Sequence, residues 1–244
     1  MPGKWFKVML TALIVTTVGA VFAAGQEHEI RKMLVEVEMI SAPDVQYRYH
    51  NAFSPKNPSS SKWLMLRIEY TPDVSKTFIP EYRLRKAGAS VFFPGWLDDV
   101  RLDVRVLFET GLVYRSRPVL GLFTGSTVIA SVKRDGSAHL AVMFVPARML
   151  DRYCVPGFGV RGVKKSAFRV EAVMSAAGKE LARAYCNVSG NGSDEKKVAF
   201  EKLVKTAPEA LVFKDSVLPR ARSPWALLAP DNFDLEKDEA GARK

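Results

Sequence analysis

The stretch Asp99-Val100-Arg101-Leu102-Asp103-Val104-Arg105-Val106-Leu107-Phe108-Glu109 carries the strongest local signal in the chain. Val100, Leu102, Val104, Val106 and Phe108 fall on every second residue, with Arg101, Asp103, Arg105 and Glu109 between them. A period of two over this length specifies a half-buried β-strand. A strand with one apolar and one charged face belongs to an antiparallel sheet that is packed on one side and wet on the other.

Working outward, further segments repeat the pattern. Leu34 to Ile40 sets Val35, Val37 and Met39 against Glu36 and Glu38, and Trp63 to Tyr70 places Leu64, Leu66, Ile68 and Tyr70 on one face. Between them, residues 42–61 hold Pro43, Pro55, Pro58 and Ser59-Ser60-Ser61, the composition of a long loop. A short strand is expected at Tyr82–Arg85, and Pro94-Gly95 marks a turn into the central strand. Beyond that strand, Leu112–Arg117 is expected to fold back across Thr110-Gly111, with Pro118 breaking the pattern. Val128–Lys133 and Ala138–Val145 flank Arg134-Asp135-Gly136-Ser137, and Asp-Gly between alternating segments predicts a hairpin. Phe168–Ser175 and Glu180–Asn187 form a second hairpin around Ala176-Ala177-Gly178-Lys179.

Two helices are expected. Pro146–Tyr153 is short, with Met149 and Leu150 turned inward. The second opens at Ser193-Asp194-Glu195, a cap hydroxyl followed by acids at the positive end of the helix dipole. It buries Phe200, Leu203, Val204 and Ala207 at i, i+3, i+4 and i+7, and Pro208 ends it. Ala210–Phe213 adds a last strand. About nine short strands with turn signals between them predict a mainly β protein, an antiparallel β-sandwich of immunoglobulin-like type with one or two helices.

Residues 1–24 have the make-up of a targeting segment: Lys4 and Lys7, then an uncharged apolar run from Val8 to Ala24 with Val21-Phe22-Ala23 near its end. The segment is a cleaved signal peptide or a retained membrane anchor, and either places the bulk of the chain in the periplasm or at the cell surface. The folded domain is expected over residues 27–218, and residues 219–244, with Pro219, Pro224, Pro230 and a charged end, as an extended tail. The net charge is +10, and removal of residues 1–24 takes two lysines and no acid. The excess is scattered through small clusters such as Arg83/Arg85/Lys86 and Arg161/Lys164/Lys165; it confers solubility or attracts an anionic glycan, cell-wall polymer or membrane surface. No nucleic-acid-binding motif is present, and nucleic acid is not an expected partner.

Cys154 and Cys186 are the only cysteines. In an oxidising compartment they either pair, closing a loop worth roughly 3–4 kcal/mol, or remain two buried thiols. Gly157-Phe158-Gly159-Val160-Arg161-Gly162 matches G-x-G-x-x-G but lacks the strand before it and helix after it that dinucleotide binding needs, so no cofactor is expected. Ser59-Ser60-Ser61-Lys62 matches S-x-x-K but lies in a Pro/Ser loop rather than opening a helix. His28, His50 and His139 have no metal-ligand spacing. Asp231, Asp234, Glu236 and Asp238 lack the glycine and carboxylate spacing of a calcium loop, so a solvated tail is expected there. With no catalytic or metal site singled out, the exposed face of the central strand, Arg101, Asp103 and Arg105, stands as the candidate interaction surface; its alternatives are a wet face or a guard against edge pairing.

Phe93-Pro94-Gly95-Trp96-Leu97-Asp98-Asp99-Val100, Leu122-Phe123-Thr124-Gly125-Ser126-Thr127, Phe144-Val145-Pro146 and Leu150-Asp151-Arg152-Tyr153 form a further set of segments. Together they resemble the pilus-associated, immunoglobulin-like cell-surface proteins of the Verrucomicrobia group, over roughly Trp63 to Cys186. The resemblance implies a β-sandwich with a hydrophobic N-terminus and a non-catalytic role in a pilus-like or envelope assembly. Gly25 follows the apolar run, whereas type IV prepilins are cut at a glycine before it, so an accessory component fits better than a filament subunit. The expectation is a structural or interaction protein with envelope proteins as partners. The alternative is a module for an anionic glycan or cell-wall polymer, with Trp96 or Trp225 as stacking platforms.

Overall fold

The computed structural model describes residues 29–41, 62–74, 95–154 and 165–226. The strands are β1 (Ile30–Ser41), β2 (Lys62–Pro72), β3 (Trp96–Tyr114), β4 (Arg117–Lys133), β5 (His139–Val145), β6 (Arg169–Ala176), β7 (Lys179–Cys186), β8 (Val212–Phe213) and β9 (Leu218–Pro219). Helix α1 spans Ala147–Tyr153 and α2 spans Ser193–Val204. The strands form two sheets, in the orders β1-β2-β5-β9 and β7-β6-β3-β4-β8. This is a two-layer β-sandwich, as the alternating segments predict.

The alternation in each strand builds the core. Val100, Leu102, Val104, Val106 and Phe108 of β3 are fully buried, and so are Leu64, Leu66, Ile68 and Tyr70 of β2. Val35 and Val37 of β1, with Val170, Ala172 and Met174 of β6, complete the layer between the sheets. Each large aliphatic buried here is worth about 1.5–3 kcal/mol in transfer free energy. Leu150 of α1 adds to the same core from one end. At one side of the sandwich, edge strand β1 lies alongside edge strand β7, and Lys179 reaches Glu29 at 3.9 Å. At the other side, the chain crosses between sheets from β8 to β9. There the amides of Ser216 and Val217 donate to the carbonyl of Thr124 at 2.9 and 3.1 Å. Gly125 permits that approach: a Cβ in its place would lie 2.0 Å from the Val217 carbonyl oxygen.

Five expectations are corrected. First, the chain does not turn at Thr110-Gly111. β3 continues to Tyr114 past an irregularity between Glu109 and Val113, and β4 runs unbroken from Arg117 through Pro118, which pairs with Val113. Second, Asp135-Gly136 does not close a hairpin, because β4 and β5 belong to different sheets. Of the two central residues only Gly136 has positive φ, so the type I′ geometry is not met. Asp135 instead accepts from the Ser137 amide at 2.9 Å and its hydroxyl at 2.5 Å, the turn that carries the chain from one layer to the other. Those bonds hold the Asp135 carboxyl down at about 2. Third, one pairing is parallel, β4 with β8. Fourth, Gly192 and not Ser193 is the N-cap of α2, while Asp194 and Glu195 do occupy its first turn. Fifth, the domain does not stop at 218. Trp225 stacks on Phe144 with ring centroids 4.6 Å apart and meets Trp63 edge-on at 5.3 Å, which ties residues 219–226 to the outer face of the first sheet.

The hairpin predicted around Ala176–Lys179 is present between β6 and β7, with Ala177 and Gly178 at φ 49° and 78°. Residues 1–28, the loop 42–61, Tyr82–Arg85, the glycine-rich stretch 157–162 and the acidic tail lie outside the described residues. Among the described residues no helix is long and apolar enough to cross a membrane.

Candidate functional site

The predicted surface on β3 divides into two environments. Arg101 and Asp103 pair with each other on the exposed part of the strand, Nε to Oδ1 at 2.9 Å, both side chains remaining largely in water. Arg105 is placed elsewhere. It lies opposite Glu171 of β6, which in turn lies opposite Tyr185 of β7, so register alone lines up a cation, an acid and a phenol across three strands. Arg105 Nε donates to Glu171 Oε2 at 2.5 Å, and its Nη2 contacts both Glu171 and Glu201 of α2. Arg183 of β7 binds the other oxygen of Glu171, which also accepts from the Tyr185 hydroxyl at 3.0 Å, while its Nε reaches Glu180 at 2.9 Å. The side chain of Glu171 is 1% exposed.

Burial works against the charge on Arg105, but hydrogen bonds and the negative charges of Glu201 and Glu171 outweigh it and raise its pKa. The hydrogen bond from Arg105 holds the Glu201 carboxyl below its ordinary value, and that from Arg183 does the same for Glu180. Burial pushes the Tyr185 phenol up to about 12. Arg105 also covers the ring of Phe200 at 5.2 Å. Phe200 buries itself with Leu107, Leu120, Leu122 and Val188, a second apolar cluster between α2 and the outer face of the sheet. The network therefore fixes α2 on the sheet, and Arg105 serves as a clamp within the fold.

With α2 held there, a cleft of about 980 Å³ opens between its C-terminal half and the far end of the β3–β4 hairpin. Its floor includes Leu120, Val188, Ala199 and Leu203, and its rim carries Arg115, Arg117, Arg169 and Lys202 against one acid, Glu109. Arg169 Nη2 lies 3.6 Å from Glu109, and its Nη1 is buried with no hydrogen-bond partner among the described residues. An unpaired buried donor of this kind costs about 1–3 kcal/mol.

Beside the cleft the hairpin tip projects three apolar side chains into water: Leu112, Val113 and Tyr114 are 59%, 71% and 64% exposed. The turn at Arg115-Ser116 has both residues at positive φ, 50° and 61°, the backbone of a type I′ hairpin turn without the Asn-Gly that favours it. Arg115 lies over the Tyr114 ring at 5.1 Å. Gly111, at φ 76°, and the Thr110 hydroxyl, which donates to the Val119 carbonyl at 2.9 Å, shape the irregularity that aims the tip. Exposed Leu-Val-Tyr next to cations is a composition suited to contact with another macromolecule. Sequence reading missed this site because Arg-Ser is not a turn signal and because cleft-lining residues come from β3, β4, β6 and α2. The available signal was the run Leu112-Val113-Tyr114, which has no polar alternation.

Other candidates are placed as follows. Cys154 and Cys186 are free thiols packed with the core cluster, so the disulfide alternative is not the one adopted. Each fills apolar space, and burial pushes the Cys154 thiol up to about 12. His139 stacks on Tyr70 at 5.6 Å, beside Asp135. Trp225 is packed as described above, and Trp96 is 40% exposed.

No protein-family model matches the chain, and no curated protein matches it. A solved structure from Akkermansia muciniphila is similar to it, with a TM-score of 0.54 and 16% identity, over 85% of this chain and 94% of that one. Its source belongs to the Verrucomicrobia, the group whose cell-surface proteins the sequence segments resemble. At this identity the likeness establishes a shared fold.

Proposed function

We propose that this protein is a non-enzymatic, exported component of the bacterial envelope, accessory to a pilus-like assembly, that docks other envelope proteins through the tip of the β3–β4 hairpin. The observation that carries the reading is the exposed Leu112-Val113-Tyr114 run, which leads into the left-handed Arg115-Ser116 turn beside a cleft with basic rim and apolar floor. Apolar area kept in water by a rigid turn is a cost to the isolated chain that burial against a partner recovers. The hydrophobic segment Val8–Ala24, the resemblance of the quoted segments to pilus-associated proteins of the Verrucomicrobia and a fold shared with a protein of that group support the envelope setting.

A photo-crosslinking amino acid at position 113, in cells that export the full chain, tests the proposal. Adducts with envelope-assembly proteins, absent when the same group stands at position 101, are expected. Equal labelling from both positions would sink it. The glycan reading keeps Trp96 as a stacking platform but loses Trp225 to packing. Salt-sensitive retention on an anionic polysaccharide column, unchanged by substitutions at 112–114, would move the assignment there.

A further inference from the structure

We infer that the basic-rimmed cleft receives an extended segment of the partner protein in which acidic and apolar residues alternate. The inference rests on the reading of the hairpin tip as a docking surface, and it names the chemistry of what docks there. Two elements supply the walls of the cleft. Arg115 and Arg117 stand on the β3–β4 hairpin and Lys202 on α2, with Leu120 and Leu203 among the apolar residues between them. Glu109, the one acid of the lining, is taken by Arg169 at 3.6 Å. Among the described residues no acid pairs with Arg115, Arg117 or Lys202. Cations on both walls call for more than one anion, set along a chain, whereas a single charged headgroup satisfies one wall. The forked guanidinium groups of Arg115 and Arg117 match carboxylates, and arginine clusters of this kind read acidic motifs. In an extended segment the alternation sets apolar side chains on one side and carboxylates on the other, the complement of an apolar floor under a basic rim.

The backbone presents Arg115 against its own preference. Tyr114 pairs with Arg117, so Arg115 and Ser116 make a two-residue loop. Both lie in the left-handed region, at φ 50° and 61°, where Asn-Gly would sit with least strain. A side chain kept in a sparsely populated backbone region points to a use for that side chain. Here it places an exposed guanidinium over the Tyr114 ring at 5.1 Å, on the lining of the cleft. The opposite wall is fixed as well. Glu201, the neighbour of Lys202, is held by Arg105, and Phe200 is fully buried beneath the helix. Both walls are therefore in place before a partner arrives, which keeps the ordering cost of binding small. A segment seated in the cleft lies beside Leu112–Tyr114, so one partner covers both the cleft and the tip.

Fluorescence anisotropy with the full chain in nanodiscs of zwitterionic lipid, at low salt, tests the inference. The probe is a labelled octapeptide alternating leucine and aspartate. It should bind about tenfold more tightly than octapeptides alternating serine with aspartate or leucine with lysine. Arg115→Asn with Ser116→Gly should raise the midpoint of thermal unfolding, because the turn relaxes, and yet weaken the probe about two- to fivefold. Misfolding cannot account for a loss of binding in a more stable variant. Lys202→Ala, on the other wall, should weaken it by a similar factor, and Arg101→Ala, outside the cleft, should leave it unchanged. Equal affinity for the three peptides, or turn and Lys202 variants that bind the probe like wild type, would overturn the inference. So would displacement of the probe by polygalacturonate as effective as by unlabelled peptide, which would assign the cleft to an anionic glycan. Displacement by soluble dihexanoyl phosphatidylglycerol would overturn it in favour of a lipid. The readout is separate from the position-113 cross-linking: loss of cross-links with peptide binding intact would refute the tip reading alone, and cross-links without peptide selectivity would refute this inference alone.

Discussion

Replacing Glu171 by alanine should destabilise the domain by about 3 kcal/mol, the low end of the roughly 3–5 kcal/mol that follows when a buried ion pair is broken from one side. The carboxylate is 1% exposed and takes Arg105, Arg183 and the Tyr185 hydroxyl at once. Its removal leaves two guanidinium groups and a phenol facing each other. The low end applies because each arginine retains a second acid, Glu201 for Arg105 and Glu180 for Arg183, and because Arg105 is 28% exposed. Urea unfolding of the full chain at pH 7 is the assay, with an unchanged m-value expected if only the native state is affected. On a domain of this size the loss corresponds to a fall in Tm of about 6–12 °C. Glu171→Gln, which keeps acceptor capacity without charge, should fall between wild type and alanine. Arg101→Ala is the control: its pair with Asp103 is solvent-exposed, and such pairs are worth about 0–1 kcal/mol. If Glu171→Ala costs no more than Arg101→Ala, the network does not hold α2 to the sheet, and the account of Arg105 as a clamp fails.

Gly125→Ala should cost about 1–3 kcal/mol by forcing the β8–β9 crossing off β4, since its Cβ would meet the Val217 carbonyl at 2.0 Å; thermal unfolding that matches wild type would contradict the close approach. Intact-mass measurement after alkylation should find both cysteines free, with Cys154 unreactive until urea unfolds the chain, because burial raises its thiol to about 12; a mass two hydrogens lighter would show a disulfide. Stability should fall as pH drops below the ordinary glutamate value of 4.5. Glu180 and Glu201 have pKa values depressed by their arginine partners, so their contribution is present above the unfolded pKa and lost as pH falls through the folded one; an acid limb unchanged in the Glu180→Gln/Glu201→Gln double variant would contradict this. Replacing Leu112, Val113 and Tyr114 together by serine should change stability by no more than about 0.5 kcal/mol while reducing cross-linking partners, because these side chains are in water; a large loss of stability would mean the tip packs inward.

Much of the sandwich was legible because its strands obey a two-residue period that any solvent-facing sheet imposes. Val104 is buried and Arg101 wet for the reason the alternation states, and the Ala177-Gly178 turn is where the sequence puts it. Local rules failed where two segments needed each other. Asp135-Gly136 has the composition of a hairpin, yet the flanking strands lie in different layers, because β5 pairs with β2 and β9 and never with β4. Arg115-Ser116 lacks turn composition, yet it turns, because the long pairing of β3 with β4 from Trp96 to Tyr114 holds the ends together.

The Asp99–Glu109 alternation by itself determined a strand, its inward face and hence the fold class, since which side chains leave water depends only on their spacing along one backbone. What Arg105 does was settled by tertiary structure alone. Arg101, Asp103 and Arg105 share a face and a charge pattern, but only Arg105 has Glu171 beside it on β6 and Glu201 above it on α2. An exposed guanidinium and a half-buried clamp are the same residue in sequence. They differ in how much water the neighbouring elements remove and which charges those elements bring near, and both are properties of packing across 66 and 96 residues of chain.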